Sequence, residues 1–366
     1  MNTVYLDFNA TTPTDPLVLE EMLPFFTQIF ANPSSGRSTE SLKSQSAIKL
    51  AKKRVSTALF CEEKEIFFTS GATESVNWVL KQFTDKGLCV YHSLIDHDAT
   101  VDFLKDYQNA QHLKFSRLGE YDYDQIELEA KKAPKNCLFT FLLAHNELGT
   151  LLDTGIIRII KEAGHFVHLD ATQAVGKIDV NFKTLEADFL SFSAHKVYGP
   201  KGVGGLIINS KTVAEMTPML KGGGQQNGLR SGTLNTPSIV GLGKALELAH
   251  RNLSQTQEHY KNLRSLFFNK IKDLNYTLNA PLEKILLNTI NITFTDWHSN
   301  KALADELKPY TVSQASACSA DKAEARVLSF ISAKAEKTIR ISFGKTTTED
   351  EILNFSEHLS ECIQNI

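Results

Sequence analysis

Between residues 65 and 209 the chain alternates short apolar runs with stretches of helical period, and that alternation restricts it to few architectures. "EIFFT" (65–69), "LCVYHS" (88–93), "CLFTFLL" (137–143), "FVHLD" (166–170), "FLSFS" (189–193) and "GVGGLIIN" (202–209) predict strands. Between several of them, "ESVNWVLKQF" (74–83), "ATVDFLKDYQ" (99–108) and "IIRIIKEAG" (156–164) predict helices. A strand followed by a helix and another strand returns parallel to the first, so the pattern predicts an α/β domain with a largely parallel sheet. From about 237 the pattern changes to one long helical stretch. "ILLNTINITF" (285–294), "YTVSQAS" (310–316), "TIRISFG" (338–344) and a closing helix from "TTTEDEI" follow it. That order predicts a smaller α+β domain, hinged by the long helix.

Composition narrows the partners. The 366 residues carry a formal net charge of −3, with 42% hydrophobic and 22% charged residues. Such a balance gives no electrostatic case for nucleic acid or an anionic membrane as the main partner. No apolar stretch approaches the roughly 20 residues that span a bilayer. "MNTVYLDFNATTP" has neither a secretory nor a transit pattern, so a cytoplasmic protein is expected. Cys61, Cys89, Cys137, Cys318 and Cys362 are far apart with no CxxC, which predicts free thiols. Cys89 and Cys137 read as strand residues. Cys318 differs: in "QASACSAD" (314–321) its neighbours are small, which leaves a sulfur accessible.

Three segments suggest one bound cofactor. In "SFSAHKVYGPKGVGGL" (191–206), Lys196 follows a strand and precedes a Gly/Pro turn, at the kind of strand end where open α/β sheets bind ligands. In "FVHLDATQAVGK" (166–177), Asp170 ends another strand with Gln173 three residues on. An acid there suits a protonated ring nitrogen. In "FFTSGATESVNW" (67–78), Gly71, Ala72 and Thr73 open a helix whose free N–H groups suit a phosphate. Taken singly, each has a plainer reading: a surface lysine, an N-cap, a capped helix start. Together, the phosphate cup, the acid and the lysine at three successive strand ends fit one cofactor.

The chain resembles the pyridoxal-phosphate-dependent cysteine desulfurases of the class V aminotransferase superfamily along its whole length. The matching stretches include "YLDFNATTPTDPLVLEEMLPFF" (5–26), "ANPSSGRS" (31–38), "FTSGATES" (68–75), "DHDATVD" (96–102) and "HNELGT" (145–150). They continue through "HLDATQAVGK" (168–177), "SFSAHKVYGPKGVGGL" (191–206), "GGGQQNGLRSGTLNTPSIVGLGKAL" (222–246), "SQASAC" (313–318) and "IRISFGKTTTEDEI" (339–352). The resemblance implies the fold type I of pyridoxal-phosphate transferases. Residues 14–250 would form the large, mostly parallel-sheet α/β domain. Residues 1–13 and 251–366 would form the small α+β domain carrying the catalytic cysteine loop.

Position by position, the resemblance implies that Lys196 joins the aldehyde of pyridoxal 5'-phosphate and later moves protons. Asp170 would pair with the ring nitrogen, Gln173 would bond the phenolic oxygen and His97 would stack on the ring. Ala72, Thr73, Ser193 and His195 match the phosphate-binding set. Thr233 matches a residue that reaches the phosphate of the neighbouring subunit, which implies a homodimer. Asn146 and Arg340 match the positions holding the carboxylate of L-cysteine, and a planar guanidinium suits that task. Cys318 matches the nucleophile that takes the substrate's sulfur as a persulfide. It would pass that sulfur to a protein acceptor, such as an iron–sulfur scaffold or a tRNA-thiolation factor.

Several positions depart from the pattern. Gln226 stands where an acid is common, His145 stands where a second asparagine is usual, and "KAEARVL" (322–328) lacks a Pro-Ser. The alternatives are a selenocysteine or cysteine-sulfinate-type lyase, another class V chemistry such as transamination, and a non-enzymatic metal-binding or scaffold role. "HFVH" (165–168) is the nearest approach to a metal pair, but residues three apart on a strand face opposite sides. No metal site is expected.

Overall fold

The computed structural model describes residues 3–36, 38–299, 301–314 and 322–365. After the short strand β1 (Val4–Tyr5), seven strands form the larger sheet among the described residues. They are β2 (Ile66–Thr69), β3 (Val90–His92), β4 (Ala110–His112), β5 (Leu138–Leu142), β6 (Phe166–Asp170), β7 (Phe189–Ser193) and β8 (Gly204–Ile208). Their order is β2-β8-β7-β6-β5-β3-β4. β8 runs antiparallel to both β2 and β7, while the pairs from β7 to β4 are all parallel. Every residue of β5 and β7 is buried, because helices cover both faces. That is why these strands read as apolar-rich runs in the sequence.

On one face, Phe139, Phe141, Leu169 and Ile207 pack with residues of the helices Thr39–Leu59 and Thr236–Arg251. These helices approach closely: a Cβ on Gly243 would lie 2.7 Å from the Ala51 Cα. On the other face, Phe67, Phe189 and Leu206 enclose Trp78 of the helix Ala72–Thr84.

A second sheet is antiparallel, in the order β12-β13-β10-β9. It joins β9 (Tyr276–Leu278), β10 (Thr289–Phe294), β12 (Ser313–Gln314) and β13 (Thr338–Ser342). Its core places Leu263 and Phe267 of the helix Leu253–Lys270 and Phe355 of the helix Glu349–Gln364 against Ile292 and Ile341. The start of the chain joins this unit, with Leu6 in the core and β1 parallel to β11 (Tyr310–Thr311).

The long helix predicted from 237 is two helices. Asn252, with φ −102° and ψ 9°, separates Thr236–Arg251 from Leu253–Lys270. Asparagine side chains compete with helical backbone bonds, and a break there turns the chain from one core to the other. The helix predicted over 99–108 runs only Asp98–Leu104.

Candidate active site

The parallel strands β3, β5, β6 and β7 end along one edge of the large sheet. The turns that follow them wall a cavity of about 630 Å³, and Arg340 of β13 lines it from the second sheet. Eleven of the residues named from the sequence line this cavity: Gly71, Ala72, Thr73, His97, Asn146, Asp170, Gln173, Ser193, His195, Lys196 and Arg340. Thr233 is not among the lining residues and is exposed. Cys318 lies outside the described residues.

Lys196 sits in a short 3-10 turn, Ala194–Lys196, directly after β7. Its Nζ donates to Asn9 O at 2.5 Å and to Ala10 O at 2.8 Å. Burial, then the charge of Arg340, lowers its pKa to about 8, against opposing attraction from Asp7, Glu147 and Asp170. An amine so placed is partly neutral at physiological pH, the form that reacts with an aldehyde.

Asp170 is the last residue of β6 and is buried. Through Oδ1 it accepts from Thr172 N at 2.9 Å. Among the described residues no group bonds its other oxygen. Behind it, His168 lies between Thr140 Oγ1 at 2.7 Å and Ser191 Oγ at 2.8 Å, and burial lowers its pKa to about 4. His165 spends Nε2 on Ala130 O at 2.8 Å, so both histidines of "HFVH" serve the protein.

Gln173 donates from Nε2 to Asn9 O at 2.9 Å and accepts at Oε1 from Lys177 Nζ at 2.5 Å. Lys177 also donates to Asn9 Oδ1 at 3.0 Å. Burial, with Lys196 and Arg340 nearby, holds its pKa well below the usual lysine value. With Oε1 engaged by the amine, the second N–H of Gln173 remains a donor for an oxygen in the cavity.

At the opposite wall, the helix Ala72–Thr84 begins at Gly71, which has no side chain to cap the first turn. Its leading N–H groups and the helix dipole suit an anion. Gly204 permits this approach: a Cβ there would lie 2.5 Å from Phe192 O and 2.7 Å from Gly71 Cα. His195 contacts Thr11 Oγ1 at 3.1 Å through Nδ1, and burial together with Lys196 and Lys201 lowers its pKa to about 4.

Arg340 is only 5% exposed. It bonds Asp7 Oδ1 at 2.7 Å, Asn146 O at 3.2 Å and the carboxylate of Glu147. Two carboxylates thus fix the guanidinium at the cavity wall.

An uncapped anion cradle, an acid at a strand end and a reactive amine fit pyridoxal phosphate. Sequence reasoning missed Asn9, whose carbonyl receives both Lys196 and Gln173 and whose Nδ2 reaches Asn146 O at 3.1 Å and Thr289 Oγ1 at 2.9 Å. It also missed Glu147 and Lys177, although Lys177 follows Gln173 by four residues on the same turn.

A family model described as aminotransferase class-V matches residues 4–355. The chain is 35% identical to a cysteine desulfurase IscS of Neisseria meningitidis over 95% of its own length and 89% of that protein. It is 34% identical to the Escherichia coli cysteine desulfurase IscS, covering 95% and 90%. Among solved structures, a NifS-like protein superposes with a TM-score of 0.90 at 32% identity over the whole of both chains. A structure titled SspA in complex with cysteine superposes with a TM-score of 0.79 at 32% identity, covering 94% of this chain and all of that one. A cavity that fits pyridoxal phosphate, on the fold type I scaffold of these neighbours, agrees with matches that span nearly the whole sequence: the chain belongs to the class V aminotransferase family, among its pyridoxal-phosphate-dependent cysteine desulfurases.

Proposed function

We propose that this chain takes the sulfur of L-cysteine, releases L-alanine and holds the sulfur as a persulfide on Cys318 for a protein acceptor. One observation carries the reading. A single cavity contains an amine lowered to about 8, a buried carboxylate at a strand end and a guanidinium set by two carboxylates.

When bound, pyridoxal phosphate supplies an electron sink for the charge that develops at the substrate Cα. Lys196 Nζ takes the proton from Cα and returns it, a role suited to an amine with a pKa near working pH. Asp170 would hold the ring nitrogen, Gln173 would donate to the phenolic oxygen and His97 would lie against the ring. Ala72, Thr73, Ser193 and His195 hold the phosphate. Arg340 and Asn146 hold the substrate carboxylate. The Cys318 thiolate attacks the substrate sulfur, so an S–S bond forms and the Cβ–S bond breaks. Its electron pair goes to Cβ, which then takes a proton. In net terms one cysteine and one thiol become one alanine and one persulfide.

In this reading residues 14–250 form the cofactor-binding domain, and residues 1–13 with 251–366 form the domain bearing Cys318. The separate cores of the two sheets support that division. A homodimer places Thr233 at the neighbouring subunit's phosphate, consistent with its exposure away from its own cavity. The acceptor is an iron–sulfur scaffold or a tRNA-thiolation factor, met in the cytoplasm.

Cys318→Ala tests the reading. The variant is expected to keep the visible absorption of bound cofactor and its change on adding cysteine, yet to make no alanine. Alanine production at the parent rate overturns the assignment.

A further inference from the structure

The turn that carries His97 is held by two groups that do not line the cavity. Arg326, on the helix Lys322–Phe330, donates through Nη1 to Leu94 O and through Nη2 to Asp96 O at 2.9 Å. Nη2 also pairs with Asp98 Oδ1 at 2.5 Å. The carbonyl between, Ile95 O, contacts His145 Nε2 at 2.9 Å. Three successive carbonyls are therefore taken by two side chains from distant parts of the sequence.

The tautomer of His145 follows from its other nitrogen. Nδ1 accepts from Glu147 N at 3.0 Å and from Leu148 N at 3.2 Å, so the proton sits on Nε2 and is donated to Ile95 O. Burial lowers its pKa to about 3, which keeps the ring neutral and the donor in place. The same imidazole thus ties the His97 turn to the segment carrying Asn146 and Glu147. Within the turn, the Asp96 carboxylate accepts from Ser93 N at 2.9 Å and Tyr121 OH at 3.1 Å. His97 itself accepts at Nδ1 from Ala99 N at 3.0 Å, so any shift of the turn carries the ring with it.

A planar fork can hold two carbonyls and a carboxylate at once, which a lysine ammonium cannot do with the same geometry. We infer that Arg326 and His145 are positioning residues for His97, clamping the Leu94–Asp98 turn so that its ring stays fixed at the cavity wall. The inference rests on the reading of His97 as the ring that covers the cofactor.

The experiment is a double-mutant cycle in the full-length protein, using Arg326→Ala, His97→Ala, their combination and Arg326→Lys. The readouts are the dissociation constant for pyridoxal phosphate added to apoprotein, the visible band of the bound cofactor, and kcat and KM for cysteine. The Arg326 side chain is 21% exposed, so water can replace it and the alanine variant is expected to fold. Arg326→Ala should weaken cofactor binding about tenfold and shift the band, as expected for losing charge-assisted hydrogen bonds. kcat should fall while KM changes little, and Arg326→Lys should recover part of the loss. With His97 already alanine, Arg326→Ala should change the dissociation constant by less than about twofold, the signature of one residue acting through another.

Additive losses in the double variant overturn the inference and leave the His97 reading intact. So does an Arg326→Ala protein that matches the parent while His97→Ala does not. A His97→Ala protein with parental band and affinity overturns the reading of His97 itself, and the clamp's purpose with it.

Discussion

Lys196 is the residue on which most of the proposed chemistry turns, and its surroundings set its proton affinity. Burial and Arg340 lower its pKa to about 8, whereas a free lysine sits near about 10.4. Below about 8 the folded protein must carry a buried ammonium; above it the amine is neutral. Between those two values the unfolded chain binds more protons, so Lys196 lowers apoprotein stability at acidic and neutral pH. That cost fades as pH rises toward about 10.4. Capture of an aldehyde requires the neutral amine, so uptake of pyridoxal phosphate should accelerate with pH around a midpoint near 8. Stopped-flow absorbance checks this, and a rate still climbing steeply at pH 10 contradicts it. Lys196→Ala should lose the visible band and about a thousandfold or more in alanine formation, the scale of a lost proton-transfer group.

At the scale of elements, Gln226 closes the outer edge of the large sheet. Its Oε1 accepts from Phe68 N at 2.6 Å and its Nε2 donates to Phe68 O at 2.8 Å, so a side-chain amide stands in for a neighbouring strand beside β2. A carboxylate can accept the first bond and cannot make the second. Gln226→Glu should therefore lower stability by about 1–3 kcal/mol, read as a lower urea midpoint at unchanged slope. An unchanged midpoint contradicts this.

Elements differ in how plainly the sequence announces them. Strands β5, β6 and β7 were legible because burial on both faces leaves short, mostly apolar runs between helical stretches. The helix Thr39–Leu59 was not, since its buried face includes Ser41, Ser44, Ala51 and Ala58, which give little periodic contrast. β4 is an exposed edge strand reading Ala-Gln-His, with no apolar signal. Asp170 could be found because it ends a recognisable strand, and Lys196 because it sits in the turn directly after one. Asn9 could not, because it acts through a backbone carbonyl that no residue type advertises. Arg326 could not either, because its partners are carbonyls more than 200 residues earlier.

Across the whole molecule, the segment from the first helix, Pro16–Met22, to Phe30 leaves Leu23, Phe26 and Phe30 at 55%, 56% and 74% exposure. Exposed large apolar side chains suit a protein contact, and in the homodimer proposed above this segment would supply part of the interface. The protein should sediment at twice the chain mass. Phe26→Asp with Phe30→Asp should yield monomers that bind cofactor several-fold more weakly, because Thr233 no longer reaches a phosphate. A parent protein that is monomeric and fully active rules out a shared site. Among the described residues no helix is long and apolar enough to cross a membrane.

The proposed reaction moves the substrate's sulfur to one thiol, Cys318. The direct measurement is a single turnover of the cofactor-loaded protein with L-cysteine, quenched and mapped by peptide mass spectrometry beside an alanine assay. The expected result is one added sulfur atom on Cys318 per alanine formed, and neither product from Cys318→Ala. Alanine released with no sulfur on Cys318, or the added sulfur found on Cys61, Cys89, Cys137 or Cys362 instead, contradicts it.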